Sequence, residues 1–262
     1  MIMDFIYLCQ MATRQRWLII ELVKRALTLR YRGSVFGLLW TLLNPLVFMA
    51  IYTLVFSHFM RINIPQYPVF LITGLLPWLW FTEALPLGAN CLIDHSGFLR
   101  NAVIPSAILP FVSVATGMMN FIFSLPILFF FLHMFGVELR LSLVALPLVM
   151  IVNFIFTLGI VLIAVTCNVF FRDVRYLINH ALLALFFVSP VMYNMSIVPS
   201  RFHWILKLNP LTTLLDSYRN IFLYGTWPHW RNFGYFSFLA VLMFILGAWI
   251  FERYREIFAE YL

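Results

Sequence analysis

A chain of 262 residues that is 63% hydrophobic and 10% charged lies far from the composition of soluble domains, of which roughly a quarter is charged; it reads as an integral membrane protein. The net charge of +7 would suggest nucleic acid in a soluble protein, but here the arginines are expected to face anionic lipid headgroups, and no nucleic-acid partner follows. Cys9, Cys91 and Cys167 all fall in or near regions expected to be cytoplasmic, so no disulfide framework is expected.

The first 13 residues carry no basic n-region, and no signal peptide is expected. Residues 13–34 predict a basic amphipathic helix at the cytoplasmic interface, with Trp17, Ile19, Ile20, Val23 and Leu27 on one side and Arg16, Glu21, Lys24, Arg25 and Thr28 largely on the other. Six uncharged stretches follow, 33–60, 62–82, 101–137, 141–171, 176–200 and 232–251. Each has the ~20 residues needed to cross ~30 Å of hydrocarbon, and the second must run on past Glu83 to about Asn90. The expected fold is therefore all-α, a single transmembrane domain over 1–262 with six spans and both termini in the cytoplasm. That topology puts eleven basic residues inside and six outside (Arg61, Arg140, Arg201, Lys207, Arg219 and Arg231). Asn44 and Pro45 predict a kink in the first span, and prolines recur in the second to fifth.

Two short cytoplasmic connections read, from their residues alone, as plain connectors or as docking surfaces. In 91–105, Asp94 and Ser96 are placed to begin a short helix that presents Phe98 and Leu99 beside Arg100; in 171–176, the charged residues are Arg172, Asp173 and Arg175. The long outer connection, 194–231, contains "NPLTTLLDSYRNIF". Asn209 is a suitable cap for a helix starting at Pro210, with Gly225 as its stop. Leu211, Leu214, Leu215, Tyr218, Ile221 and Phe222 form its apolar stripe, opposite Thr212, Asp216, Arg219 and Asn220. With "SRFHWILK" before it, this predicts a short re-entrant hairpin dipping into the outer leaflet. Arg219 would then snorkel to headgroups or meet an anionic substrate group.

The chain has only two lysines, Lys24 and Lys207, and neither follows a glycine, so a G-x-x-x-x-G-K-[ST] phosphate loop cannot form. ATP, if it drives this protein, must bind a separate chain. No H-E-x-x-H pair and no Cys/His cluster at metal spacing occurs, so no metal or catalytic residue is assigned. Glu83 is the one clear carboxylate within a span and has no evident intramembrane basic partner in the sequence. An ion-coupled carrier using Glu83 and a membrane transferase acting on lipid-linked sugars are two readings that stay open. Of the many aromatics, Tyr52, Trp78, Trp80, Phe81, Tyr193, Tyr218 and Tyr224, with Glu83 among them, are candidates to line a glycan path.

The segments "RYRGSVFGLLWTLLNPL" (30–46), "FLITGLLPWLWF" (70–81), "ILP" (108–110), "NVFFRDV" (168–174), "SPVMY" (189–193) and "NPLTTLLDSYRNIFLYG" (209–225) occur in an order that resembles the membrane subunit of type-2 ABC exporters. More narrowly, they are similar to the polysaccharide-export permeases of the O-antigen branch, with capsule and teichoic-acid permeases as relatives. The resemblance implies a homodimer in the bacterial inner membrane, paired with two ABC ATPase subunits that bind ATP and Mg. It would move a polyprenyl-pyrophosphate-linked glycan outward. The resemblance also assigns 13–34, with Arg30 and Arg32, to a gate helix near the ATPase, and 91–103 to a coupling helix. The outer gate would be 194–231, where Asn209, Pro210, Asp216, Tyr218 and Arg219 lie. The single Arg100 before Pro105, where relatives often carry more basic residues, departs from the pattern.

Overall fold

The computed structural model describes residues 11, 13–97 and 105–261. Among them every regular element is helical. Helix α1 (Arg16–Tyr31) is followed by α2 (Trp40–Tyr52), which continues as a π-helical turn (Thr53–Phe59), and by α3 (Tyr67–Asp94) and α4 (Ile108–Met134). A 3-10 turn (Leu141–Ala145) leads into α5 (Leu146–Phe170), and α6 (Val174–Val188) is shorter. Then come α7 (His203–Leu208), α8 (Pro210–Phe222), α9 (Trp230–Tyr254) and α10 (Phe258–Tyr261).

Five helical runs are long and apolar enough to cross a membrane: Trp40–Phe59, Tyr67–Asp94, Ile108–Met134, Leu141–Phe170 and Trp230–Tyr254. The stretch expected as a further span, 176–200, does not form one continuous helix. Helix α6 has 15 residues, a rise of about 22 Å, short of the ~30 Å of hydrocarbon. It ends because Pro190 disfavours helical backbone at Ser189, which is extended (φ −93°, ψ 142°).

Helix α3 is the central element. It passes Glu83 and Asn90 as expected and is buried along most of its length, packed against α2, α4, α5, α6 and α8. Asp94 is its last residue rather than the start of a loop helix. The His95 ring reaches the Cys91 carbonyl at 2.9 Å and closes that end. Ser96 and Gly97 are helical, while Phe98, Leu99 and Arg100 lie outside the described residues.

Helices α5 and α9 meet at backbone distance through glycines. A Cβ at Gly159 would lie 2.6 Å from the Phe244 nitrogen, and one at Gly247 would collide with the Gly159 carbonyl. By contrast, α2 lies at the periphery with most of its apolar surface outward. Pro45 sits inside α2, where its missing N–H removes a partner from the carbonyl of Thr41. Ser124 Oγ on α4 donates to that carbonyl at 3.1 Å, so the proline leaves no orphaned acceptor in an apolar setting. The helical distortion appears later, at Thr53–Phe59, where Met60 N bonds back to Val55 O at 2.9 Å.

Helix α1 packs on α4 through Ile19, Val23 and Leu27. Trp17 and Ile20, expected on the same face, are exposed. The packed stripe is therefore narrower than the apolar side read from sequence.

Candidate functional site

The cap at the start of α8 forms as its sequence dictates. Asn209 is extended, its side chain accepts from Leu211 N at 3.0 Å, and Pro210 occupies the first helical position where no N–H is needed. Gly225 follows the helix with φ +61°, against the aliphatic stem of Arg140.

All six residues of the apolar stripe are buried, but so are Thr212, Arg219 and Asn220 on the expected polar face; of that set only Asp216 is exposed. Helix α8 is enclosed by α3, α5, α9 and the Leu141–Ala145 turn. Arg219 is 3% exposed, so it neither snorkels to headgroups nor faces a substrate from this position. Its guanidinium carbon lies 3.9 Å from the centroid of the Phe70 ring, and Nη2 donates to Val191 O at 2.7 Å. Asp216 Oδ1 stands 4.0 Å from Nη1. Gly74 leaves room for this guanidinium, since a Cβ there would lie 2.7 Å from Nη2.

The carbonyl that Arg219 holds belongs to the break after α6. Ser189, Val191 and Met192 are fully enclosed, and their non-helical backbone needs partners. Arg219 bonds Val191 O, the Tyr67 hydroxyl donates to Met192 O at 2.9 Å, and Asn209 Nδ2 donates to Ser189 Oγ at 2.8 Å. Two groups from the 209–225 segment and one from the first turn of α3 thus pin the broken helix. Tyr67, Phe70 and Gly74 were not singled out from sequence. Their i, i+3, i+7 spacing on α3 was the available signal, but it does not name Arg219 as the group they receive.

The connections expected on the outer side converge at this end. Gln66 Nε2 donates to Phe135 O at 3.0 Å and Ser142 Oγ to Ile221 O at 3.2 Å. Gln66, Glu138, Arg140 and Tyr224 line an open cleft of ≈ 310 Å³ between them.

The aromatic candidates separate into two groups. Trp80 and Phe81 are core side chains: Trp80 Nε1 donates to Val114 O at 3.2 Å, and Phe81 stacks on Phe156 at 6.1 Å. Buried Tyr218 meets Phe121 edge-on and stacks on Phe222. Tyr52 and Trp78 both pack against Phe186, each at 5.6 Å, in a row that joins α2, α3 and α6. Tyr193 is half-buried, with its hydroxyl on Phe187 O, and Tyr224 is exposed.

At the opposite end, Arg32, Arg172, Asp173 and Arg175 are exposed. Glu83 does have a basic partner. Arg30 Nη1 lies 2.9 Å from Glu83 Oε2, and Asn120 Nδ2 donates to the same oxygen at 3.0 Å. Arg30 stands 53 positions earlier in the chain and outside the spans, so inspection of the spans alone does not find it.

Residues 18–223 match the family model described as ABC-2 type transporter. The O-antigen export system permease protein RfbA of Klebsiella pneumoniae is 35% identical over 249 residues, spanning 94% of this chain and 95% of that protein. RfbA of Myxococcus xanthus is 37% identical over 247 residues, with the same coverage of 94% and 95%. The polysialic acid transport protein KpsM of Escherichia coli is 21% identical over 244 residues, covering 88% of this chain and 91% of KpsM.

Proposed function

This chain belongs to the ABC-2 type transporter family, and on that premise we propose that it is the membrane-spanning subunit of an ATP-driven exporter of a polyprenyl-pyrophosphate-linked polysaccharide, an O-antigen. The observation that carries this reading is end-to-end similarity to O-antigen export permeases. Because the chain cannot form a phosphate loop, hydrolysis of ATP with Mg falls to a separate subunit. The working assembly is two copies of this chain and two ATPases in the bacterial inner membrane.

In this assembly α6, with the pinned 189–202 segment, makes the fifth of six crossings, and α7 and α8 fold back as the outer gate. Both termini lie in the cytoplasm, where basic residues are concentrated. The 91–103 segment, with Phe98 and Leu99, docks on the ATPase. The outward apolar face of α2 and its π-helical continuation, including Val47, Phe48, Ile51 and Leu54, meets lipid and the second copy. The pairing of Glu83 with Arg30 weighs against an ion-coupled carrier, since its charge already has a partner.

The test is deletion of the gene and complementation. The deletion strain should retain the polymer inside, and the wild-type chain should restore surface display and co-purify with an ATPase. Phe98→Asp with Leu99→Asp should abolish display while the protein remains in the membrane. Display that survives the deletion, or a chain that never captures an ATPase, overturns the proposal.

A further inference from the structure

A carboxylate within a spanning helix is expensive unless it is paired. The pairing of Glu83 involves three helices, and a further hydrogen bond ties in a fourth. Arg30, from the last turn of α1, reaches its Oε2 at 2.9 Å, and Asn120 Nδ2 on α4 reaches the same atom at 3.0 Å. Ser124, one turn further along α4, shares its one hydroxyl hydrogen between Asn120 O at 2.8 Å and Thr41 O on α2 at 3.1 Å. Thr41, Asn44, Glu83, Asn120 and Ser124 border a cavity of ≈ 20 Å³, and the buried Asn120 Oδ1 has no partner there. The polar groups of α1, α2, α3 and α4 thus gather around Glu83 at the partly exposed edge of an otherwise apolar bundle.

The buried apolar grip of α1 on the bundle is Ile19, Val23 and Leu27, with Leu18 and Leu22 packed beside them. None of these lies in its last turn. The Arg30–Glu83 side chains, 33% and 24% exposed, hold that last turn where the chain passes into α2. Withdrawing α1 would leave the Glu83 carboxylate unpaired in a span, an outcome the surrounding apolar groups oppose. The Lys24–Glu21 pair at 4.0 Å lies on the exposed face of the same helix and has no comparable role.

We propose that Arg30 and Glu83 form a latch, with Asn120 as its positioning residue. The latch fixes the end of α1 against α3 and α4, and α1 moves during transport only when it opens. This rests on the exporter reading above for its place in transport, but its physical part does not.

The experiment is a charge-reversal cycle on the full chain in lipid nanodiscs: Arg30→Glu, Glu83→Arg and the double variant. Hydrogen exchange of residues 16–31 and export in cells are both measured. Each single reversal should speed exchange of α1 by at least about tenfold, since it places like charges together. Export should fall while the protein level holds. The double variant should restore both, and the unpartnered Asn120 Oδ1 gives an arginine at position 83 an acceptor. Glu83→Gln keeps an acceptor for Arg30 and should produce the smaller change, which covers the case in which a reversal fails to fold. A Lys24→Glu control should leave α1 exchange unchanged. Unchanged α1 exchange in the single variants, or no recovery in the double, overturns the latch. If exchange follows the cycle but the wild-type chain neither exports nor captures an ATPase, the latch stands and the exporter reading fails.

Discussion

Replacing Gly74 with alanine tests whether Arg219 occupies the place described for it. In the interior of α3, alanine should stabilise the helix by about 0.5–1 kcal/mol relative to glycine if the site were open. It is not open: the new Cβ would lie 2.7 Å from Arg219 Nη2, 3.3 Å from its Cζ and 3.4 Å from Val191 O. The guanidinium cannot swing away freely, because Val191 O and the Phe70 ring hold it from two directions. Overpacking of this kind costs about 1–3 kcal/mol, which outweighs the propensity gain and leaves a net loss of about 1–2 kcal/mol. In a chain of this size that corresponds to a fall of roughly 3–6 °C in apparent Tm, measured on detergent-purified protein at a fixed scan rate. Gly234→Ala in α9, where a Cβ meets nothing within 4 Å, should show the opposite sign. In an Arg219→Met background the clash disappears, and Gly74→Ala should recover the gain expected of an open helix site. A neutral or stabilising Gly74→Ala in the native background would refute this placement of Arg219.

Two further substitutions probe buried backbone. Ser124→Ala should lower stability by about 1–2 kcal/mol because the Thr41 carbonyl loses its donor; Pro45→Ala restores an N–H to that carbonyl, and an equal loss from Ser124→Ala in both backgrounds would contradict the assignment. Tyr67→Phe removes the donor to Met192 O and should cost about 1 kcal/mol, visible as faster hydrogen exchange in 189–193 while α5 stays protected.

Features set by neighbours in the chain were legible in the sequence. The course of α3 past Glu83 follows from continuous apolar periodicity, and the start of α8 follows from Asn209 and Pro210. The break within 176–200 is not legible in a hydropathy pattern, which registers charge and length but not the loss of helical backbone before Pro190. The burial of the polar side of α8 is hidden for a different reason. Its polar side reads as a solvated face when the helix is taken alone, yet the Arg219 guanidinium donates to a carbonyl 28 positions earlier and lies over a ring on another helix. The partner of Glu83 was hidden in the same way by distance along the chain.

The glycine contact between α5 and α9 has a mechanical consequence. Two helices whose backbones touch at Gly159 and Gly247 cannot slide or roll on each other without a carbonyl striking the opposing chain. They behave as a single stiff strut. On the other side α1 and α2 rest on α3 and α4 through narrow stripes and polar joints, contacts that can be unmade and remade at less cost than the glycine seam.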